Sequence, residues 1–379
     1  MKASMTPRER VLSAINHQQV DRVPIDLGGT HGTTMCTGAY ESLKAFLGVN
    51  APTEEVGRAF EWVKMDEAVL ARLPVDTRPV FARPPTRSRT RWLDARTFVD
   101  DWGITFQKPE NRPQWDMVAH PLAEVTIKDL DTYDWPNVED EGRYAGLRDE
   151  ARGLHEDTSY AVCGATLDTC IFDRCWGLRG MEQFLVDMLA DPEFALALME
   201  KVAQIQFRRH TRFLEQVGPY IDIIIIGDDM GTQNGLLIRP QLYRKMIKPF
   251  HKRYVRLIKE HTEARVIMHA CGSVVDIIGD YIEIGVDALN PVQATAANMS
   301  LQVLKQRFGE CMAYWGGIDT QDLLPNGRPE DVRQAVRDTI RTVGLNGGYV
   351  LSAVHNIQDD VPPENVWAML EEASGFRPT

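Results

Sequence analysis

A chain of 379 residues, 44% apolar and 25% charged, has the balance of an ordinary globular protein and enough apolar side chains for a large core. Its formal net charge of −12 excludes non-specific binding to nucleic acid or to an anionic membrane, which needs clustered Lys and Arg to displace counterions. No run reaches the roughly 18 apolar residues of a spanning helix, and the start MKASMTPRERVLSAINHQQVDRVP carries charges where a signal peptide needs an apolar stretch, so a cytoplasmic protein is expected.

The first predicted element is a helix: Thr6 precedes Pro7, Glu9 follows three residues after Thr6, and Val11, Leu12 and Ile15 recur at helical spacing. A strand is predicted at Val23–Leu27. Further strands are predicted at Tyr160–Leu167, Ile221–Gly227, Arg265–Ala270, Ala288–Val292, Met312–Gly316 and Tyr349–Val354, with helical stretches between them. Such alternation predicts α/β architecture with a parallel sheet of βαβ units. The near-continuous β-branched run Ile221–Ile226 suits a strand buried on both faces. Residues 86–140, rich in Trp, Asp, Arg and Pro, break the pattern. They read as short antiparallel strands and a long loop inserted in the barrel, either helping to cover its mouth or forming an edge elaboration. No repeat or linker-like shift appears, and one domain is expected over residues 1–379.

Six cysteines, at 36, 163, 170, 175, 271 and 311, are sparse and form no CxxC pair, so free thiols are expected. In the run RVIMHACG, 265–272, strand alternation puts His269 and Cys271 on one face at a strand's carboxyl end. Barrel active sites are built at that end, and imidazole with thiolate suits Zn2+. Spacing alone leaves open that Cys271 is merely a small apolar residue. His355, at the exit of the last strand, supplies a third ligand or a metal-free acid or base. Asp228 and Asp229 follow an apolar run, where burial raises a carboxyl pKa. Alternation favours Asp229 as the catalytic acid and leaves Asp228 for substrate binding, although both could cap the loop. Asp26 and His31 lie in a Gly-rich first loop that permits close approach of a ligand. Asp168, with Arg174, Trp176 and Arg179 of CIFDRCWGLRG, could line a pocket for an aromatic or anionic group; an ordinary helix with outward charges explains the arginines equally well. The motifs GxxxxGK[ST] and GxSxG are absent, which leaves nucleotide hydrolysis and serine esterase chemistry without support.

The segments MTPRERVLSAINHQQVDRVP, RGMEQFLVDMLADPEF, GDDMG through RPQLYRKMIKPFHKRY, HACGSVVDIIGDYIEIGVDALN, YWGGID and VPPENV together resemble the uroporphyrinogen decarboxylase superfamily, which also contains corrinoid-linked, zinc-dependent methyltransferases. The resemblance implies a (β/α)8 TIM barrel. True decarboxylases resemble one another in paired amino-terminal arginines, whereas the matching segment here, VPIDLGGTHGTTM, has none. The chain is therefore closer to the methyltransferase branch, in which a His-x-Cys pair, matched by His269 and Cys271, holds zinc with a third ligand, usually Cys. His355 stands at that third position. The resemblance further implies a small methylated substrate or thiol, a corrinoid supplied by a partner protein, and dimers among related barrels. The alternatives are a metal-free lyase that decarboxylates a smaller acid, and a non-catalytic barrel.

Overall fold

The computed structural model describes residues 4–110, 114–166, 168, 170–344 and 346–376. Seven strands, β1 (Thr77–Phe81), β2 (Ala161–Ala165), β3 (Ile223–Gly227), β4 (Arg265–His269), β5 (Ala288–Val292), β6 (Ala313–Ile318) and β7 (Tyr349–Ala353), form one parallel sheet in chain order. Between the edge strands runs the segment Pro24–Asp26. The Asp26 amide donates to Leu351 and the Leu351 amide to Pro24, both at 2.9 Å, while the Asp76 amide donates to Ile25 at 2.8 Å. The sheet is thus curled until both edges meet one segment, an arrangement consistent with a TIM-barrel-like fold.

Two expectations change here. The strand predicted at Val23–Leu27 is reduced to a single parallel bridge between Ile25 and Leu351, because Pro24 has no amide to donate and Gly28 turns the chain away at φ +86°. Conversely β1 was not anticipated, since Pro79 in its centre removes a ladder donor and disguises the run TRPVF. Elsewhere the predicted strands stand: Ala288–Val292 keeps its bounds, β6 runs two residues past the predicted Gly316 to Ile318, and the others lose one or more end residues; Leu167, the last residue predicted for β2, lies outside the described residues.

Alternation along the strands sorts side chains into two cores. Cys163, Ile223, Ile225, Ile267, Trp315 and Val350 form one cluster with Val11 and Ile15; Val162, Ile224, Ile226, Val266, Met268 and Leu289 belong to the larger cluster packed with the helices. Each fully buried aliphatic chain stabilises the fold by roughly 1.5–3 kcal/mol. The predicted first helix, Pro7–Ile15, has its capping box from Thr6 and Glu9. Its ends are fixed beside the strands' starts, where the Arg8 amide donates to Ser159 and the Gly348 amide to Ala14. Val11 and Ile15 therefore close the amino end of the curled sheet, leaving the carboxyl end for chemistry.

The insertion carries a four-stranded antiparallel sheet, Arg91–Asp94, Thr97–Val99, Thr105–Gln107 and Asp116–Ala119. It is not an unattached edge. Trp102 Nε1 donates to Asp168 Oδ2 at 2.8 Å and Arg174 pairs with Asp100 at 3.3 Å, so the insertion is docked on the loop that leaves the carboxyl end of β2. Among the described residues no helix is long and apolar enough to cross a membrane.

Candidate metal centre

Strand β4 delivers the central pair. Its register sets His269 beside Gly227 of β3 on one side and Asn290 of β5 on the other. Met268 and Ala270 are buried in the outer core, so His269 and Cys271 share the opposite face. His269 Nε2 lies 3.5 Å from Cys271 Sγ. His269 Nδ1 meets Asn290 Oδ1 at 2.6 Å, and Asn290 Nδ2 donates to the Trp315 carbonyl at 3.2 Å. Because that carbonyl needs a donor, Asn290 presents its oxygen to the imidazole. His269 then carries its proton on Nδ1 and keeps the Nε2 lone pair facing Cys271. Gly32 accommodates this pair: a Cβ there would stand 2.9 Å from His269 Nδ1 and 3.2 Å from Asn290 Oδ1.

His355, two residues beyond β7, completes the group. Its ring centroid is 5.5 Å from that of His269 at an interplanar angle of 69°, and one ligand atom from each of His269, Cys271 and His355 lies within 4.8 Å of the others. Burial and the neighbouring His269 hold His355 down at about 4 against the pull of Asp229. Burial and Asp229 push the Cys271 thiol well above its ordinary value. The protein by itself thus assembles the His269 imidazole, a neutral His355 imidazole and a protonated thiol, all half-buried.

His31 is not a solvated loop residue. It is 8% exposed, with its ring 5.6 Å from Trp62, in a stacked pair, and 6.0 Å from His269. Burial, with His269 and His355 nearby, lowers it to about 3.

The adjacent aspartates after β3 have separate surroundings. Asp229 Oδ1 accepts from the Cys271 amide at 2.8 Å, which ties it to the three-ligand group. Asp228 is 1% exposed and turns back into the fold, accepting from the amides of Ile171 and Asp173 at 2.9 and 3.1 Å and meeting His251 Nε2 at 2.8 Å. Asp173, unnoticed in the sequence, accepts from the Asp229 amide at 2.9 Å and from Trp176 Nε1 at 3.0 Å. Burial and the two neighbouring aspartates raise its pKa well above the carboxylate range. Trp176 therefore serves the Asp173 junction.

Asp26 is fully buried, accepting from Thr77 Oγ1 at 2.5 Å, Trp315 Nε1 at 2.8 Å and the Gly29 amide at 2.9 Å; burial raises its pKa despite these bonds. Asp168 collects Arg174 at 3.0 Å, Gln206 at 2.9 Å, Trp102 at 2.8 Å and Arg209 at 2.5 Å. Burial opposes its charge, but Arg174 and Arg209 outweigh burial and hold it well below the usual range. The arginines of Phe172–Arg179 do not point outward as an ordinary surface helix would have them: Arg179 pairs with Asp187 at 2.7 Å. Sequence reasoning missed Asn290, Asp173, Gln206 and Arg209. Only Asn290 left a signal, a polar residue in the middle of a predicted strand.

Residues 105–376 match the uroporphyrinogen decarboxylase (URO-D) family. The chain is 25% identical over 394 aligned positions to a uroporphyrinogen decarboxylase of Alkalilimnicola ehrlichii, covering 99% of this chain and 96% of that protein. It is 24% identical over 372 positions to a methylated-thiol–coenzyme M methyltransferase of Methanosarcina mazei, covering 97% and 89%. Among solved structures it superposes on a methyltransferase from Methanosarcina mazei with a TM-score of 0.67, at 16% identity and 98% coverage of each chain, a likeness of fold. With the family match spanning most of its length, the chain belongs to the uroporphyrinogen decarboxylase family of enzymes.

Proposed function

We propose that this protein is a zinc-dependent, corrinoid-linked methyltransferase. It moves a methyl group between a small methylated compound or thiol and a corrinoid held by a separate partner protein, on a (β/α)8 barrel that makes residues 1–379 one domain. The observation that carries the reading is the convergence of His269, Cys271 and His355 within 4.8 Å. The donor set fits Zn2+: two imidazoles and a thiol are ligands the ion favours, and three of them leave a position for water or a substrate atom. The bond from His269 to Asn290 is the kind of outer contact that fixes a ligating imidazole. When bound, zinc would supply Lewis acidity, polarising a leaving heteroatom or lowering the pKa of a substrate thiol.

The chain's own residues do the rest. His269 offers Nε2 in the required tautomer. Asp229, beside the Cys271 thiol, is the base placed to take its proton, as ligation of a cysteine requires. His355 is kept neutral by burial, so that one ring nitrogen keeps a lone pair for a metal. His31 faces the substrate. Asp26, Asp168, Arg174, Trp176 and Asp228 hold the surrounding loops through the bonds described above. Similarity to the Methanosarcina methylated-thiol methyltransferase over 97% of the chain supports the class of reaction.

A second reading, metal-free decarboxylation of a smaller acid with Asp229 or His355 protonating the carbanion-like carbon, draws on the 25% identity to a decarboxylase along the whole chain. The two separate in one assay. The protein is mixed with cob(I)alamin and a panel of methylated thiols, methyl ethers and methylamines, and the visible spectrum is followed. Methylcobalamin formation that is lost on chelation and in Cys271→Ala is the expected result. No methylation from any donor, or rates unchanged by chelation and by Cys271→Ala, overturns the proposal.

A further inference from the structure

Two polar atoms beside the three-ligand group have no hydrogen-bond partner among the described residues. They are His31 Nδ1 and Asn356 Oδ1, in residues only 8% and 0% exposed. Leaving such groups unpaired costs about 1–3 kcal/mol each, so their shared occurrence at one place calls for a ligand. The residues come from opposite ends of the chain and are clasped together: Asn356 Nδ2 donates to the His31 carbonyl at 2.7 Å. That bond also fixes the amide, since a carbonyl must be met by the NH2 group, and Oδ1 remains as a pure acceptor. His31 Nδ1 donates or accepts according to its tautomer.

Both residues are rigidly held. The His31 ring stacks on Trp62, which stacks on Phe60 with centroids 4.4 Å apart. Within the same loop the Gly28 amide donates to Thr33 at 2.8 Å. Asn356 accepts on its carbonyl from Gln358 Nε2 at 3.1 Å. Each also adjoins the metal ligands: the His31 ring is 6.0 Å from that of His269, and Asn356 follows His355 in the chain. Neither atom is open to solvent in this structure, so a ligand reaches the pair as neighbouring side chains give way.

From this arrangement we propose that His31 and Asn356 form a specificity subsite for a hydroxyl group on the substrate, a few bonds from the atom that bears the methyl. A hydroxyl is the small group that donates and accepts through one atom, giving its proton to Asn356 Oδ1 and accepting from His31 Nδ1–H. A site built this way rejects an analogue lacking the hydroxyl, because its own buried groups are then left unpaired. The proposal rests on the methyltransferase reading and narrows the substrate to small hydroxylated methyl compounds.

The test is a ligand-observed NMR titration of the purified full chain with 2-methoxyethanol and with 1-methoxypropane, which share shape and methoxy group and differ in the hydroxyl. Zinc content and unfolding midpoint are recorded on each sample. The expected result is about tenfold tighter binding of 2-methoxyethanol. That preference disappears in His31→Phe, which keeps a ring against Trp62, and in Asn356→Leu, while zinc content is unchanged. Equal binding of the two ethers to the wild type, no binding of either, or a preference that survives His31→Phe overturns the subsite. A wild type without zinc that still prefers 2-methoxyethanol would instead count against the metal and leave the subsite standing.

Discussion

Asn290 Oδ1 receives the Nδ1 proton of His269 at 2.6 Å, and this contact decides which nitrogen of the imidazole is free to bind. Asn290 is 1% exposed and its other amide atom is committed to the Trp315 carbonyl, so it cannot swing to present NH2 instead. Asn290→Leu, which keeps the branching of the side chain, removes the acceptor and leaves both the imidazole N–H and the carbonyl unpaired. Zinc affinity measured by chelator competition is expected to fall about 10–100-fold, with Asn290→Asp retaining more of it than Asn290→Leu. Unchanged affinity in Asn290→Leu would remove Asn290 from the site.

Asp168 is shared by Arg174 and Arg209, and Arg209 has a side chain only 6% exposed. Asp168→Asn keeps the shape but withdraws the charge, leaving a buried guanidinium without its counter-ion. Loss of one partner of a buried pair costs about 3–5 kcal/mol, and the 20% exposure of Asp168 argues for the lower end. Chemical denaturation should show a fall in stability of about 3 kcal/mol, together with looser docking of the insertion through Trp102. A midpoint equal to that of the wild type would mean that the network is cosmetic.

The pair at the amino end gives a pH signature. Burial opposes the charge on Asp21, but hydrogen bonds from Arg10 and the Met5 amide outweigh burial and lower its pKa to about 2. A carboxyl with a depressed folded pKa adds stability above its unfolded value, about 3.9, and that stability is lost as pH falls through the folded value. Comparing urea midpoints of wild type and Asp21→Asn from about pH 6 down to about pH 2 should show a gap that is constant above the unfolded pKa and closes below it. A gap independent of pH across that window would contradict the assignment.

Much of the centre was legible in sequence because strand alternation survives two residues past the end of β4: the run RVIMHACG says which face His269 and Cys271 share. His355 was legible for the same reason, as the residue at a strand's exit. After β3, however, alternation gives no guide, and the separate environments of Asp228 and Asp229 are set by the helix Phe172–Arg179 and by His251 rather than by the strand. The partners of Asp168 were hidden differently. Gln206 and Arg209 lie within the 26-residue helix Pro192–Val217, where polar residues read as a solvated face, and their inward direction follows only from the docking of that helix. β1 was lost to Pro79, a local veto that the curled sheet tolerates.

The most direct test of the account is elemental analysis of the purified protein alongside Cys271→Ala and His355→Ala. The three-ligand centre predicts about one zinc per chain in the wild type and loss of most of it in both variants. A wild type that remains metal-free after zinc is offered under reducing conditions, or zinc that stays in both variants, would contradict the central claim.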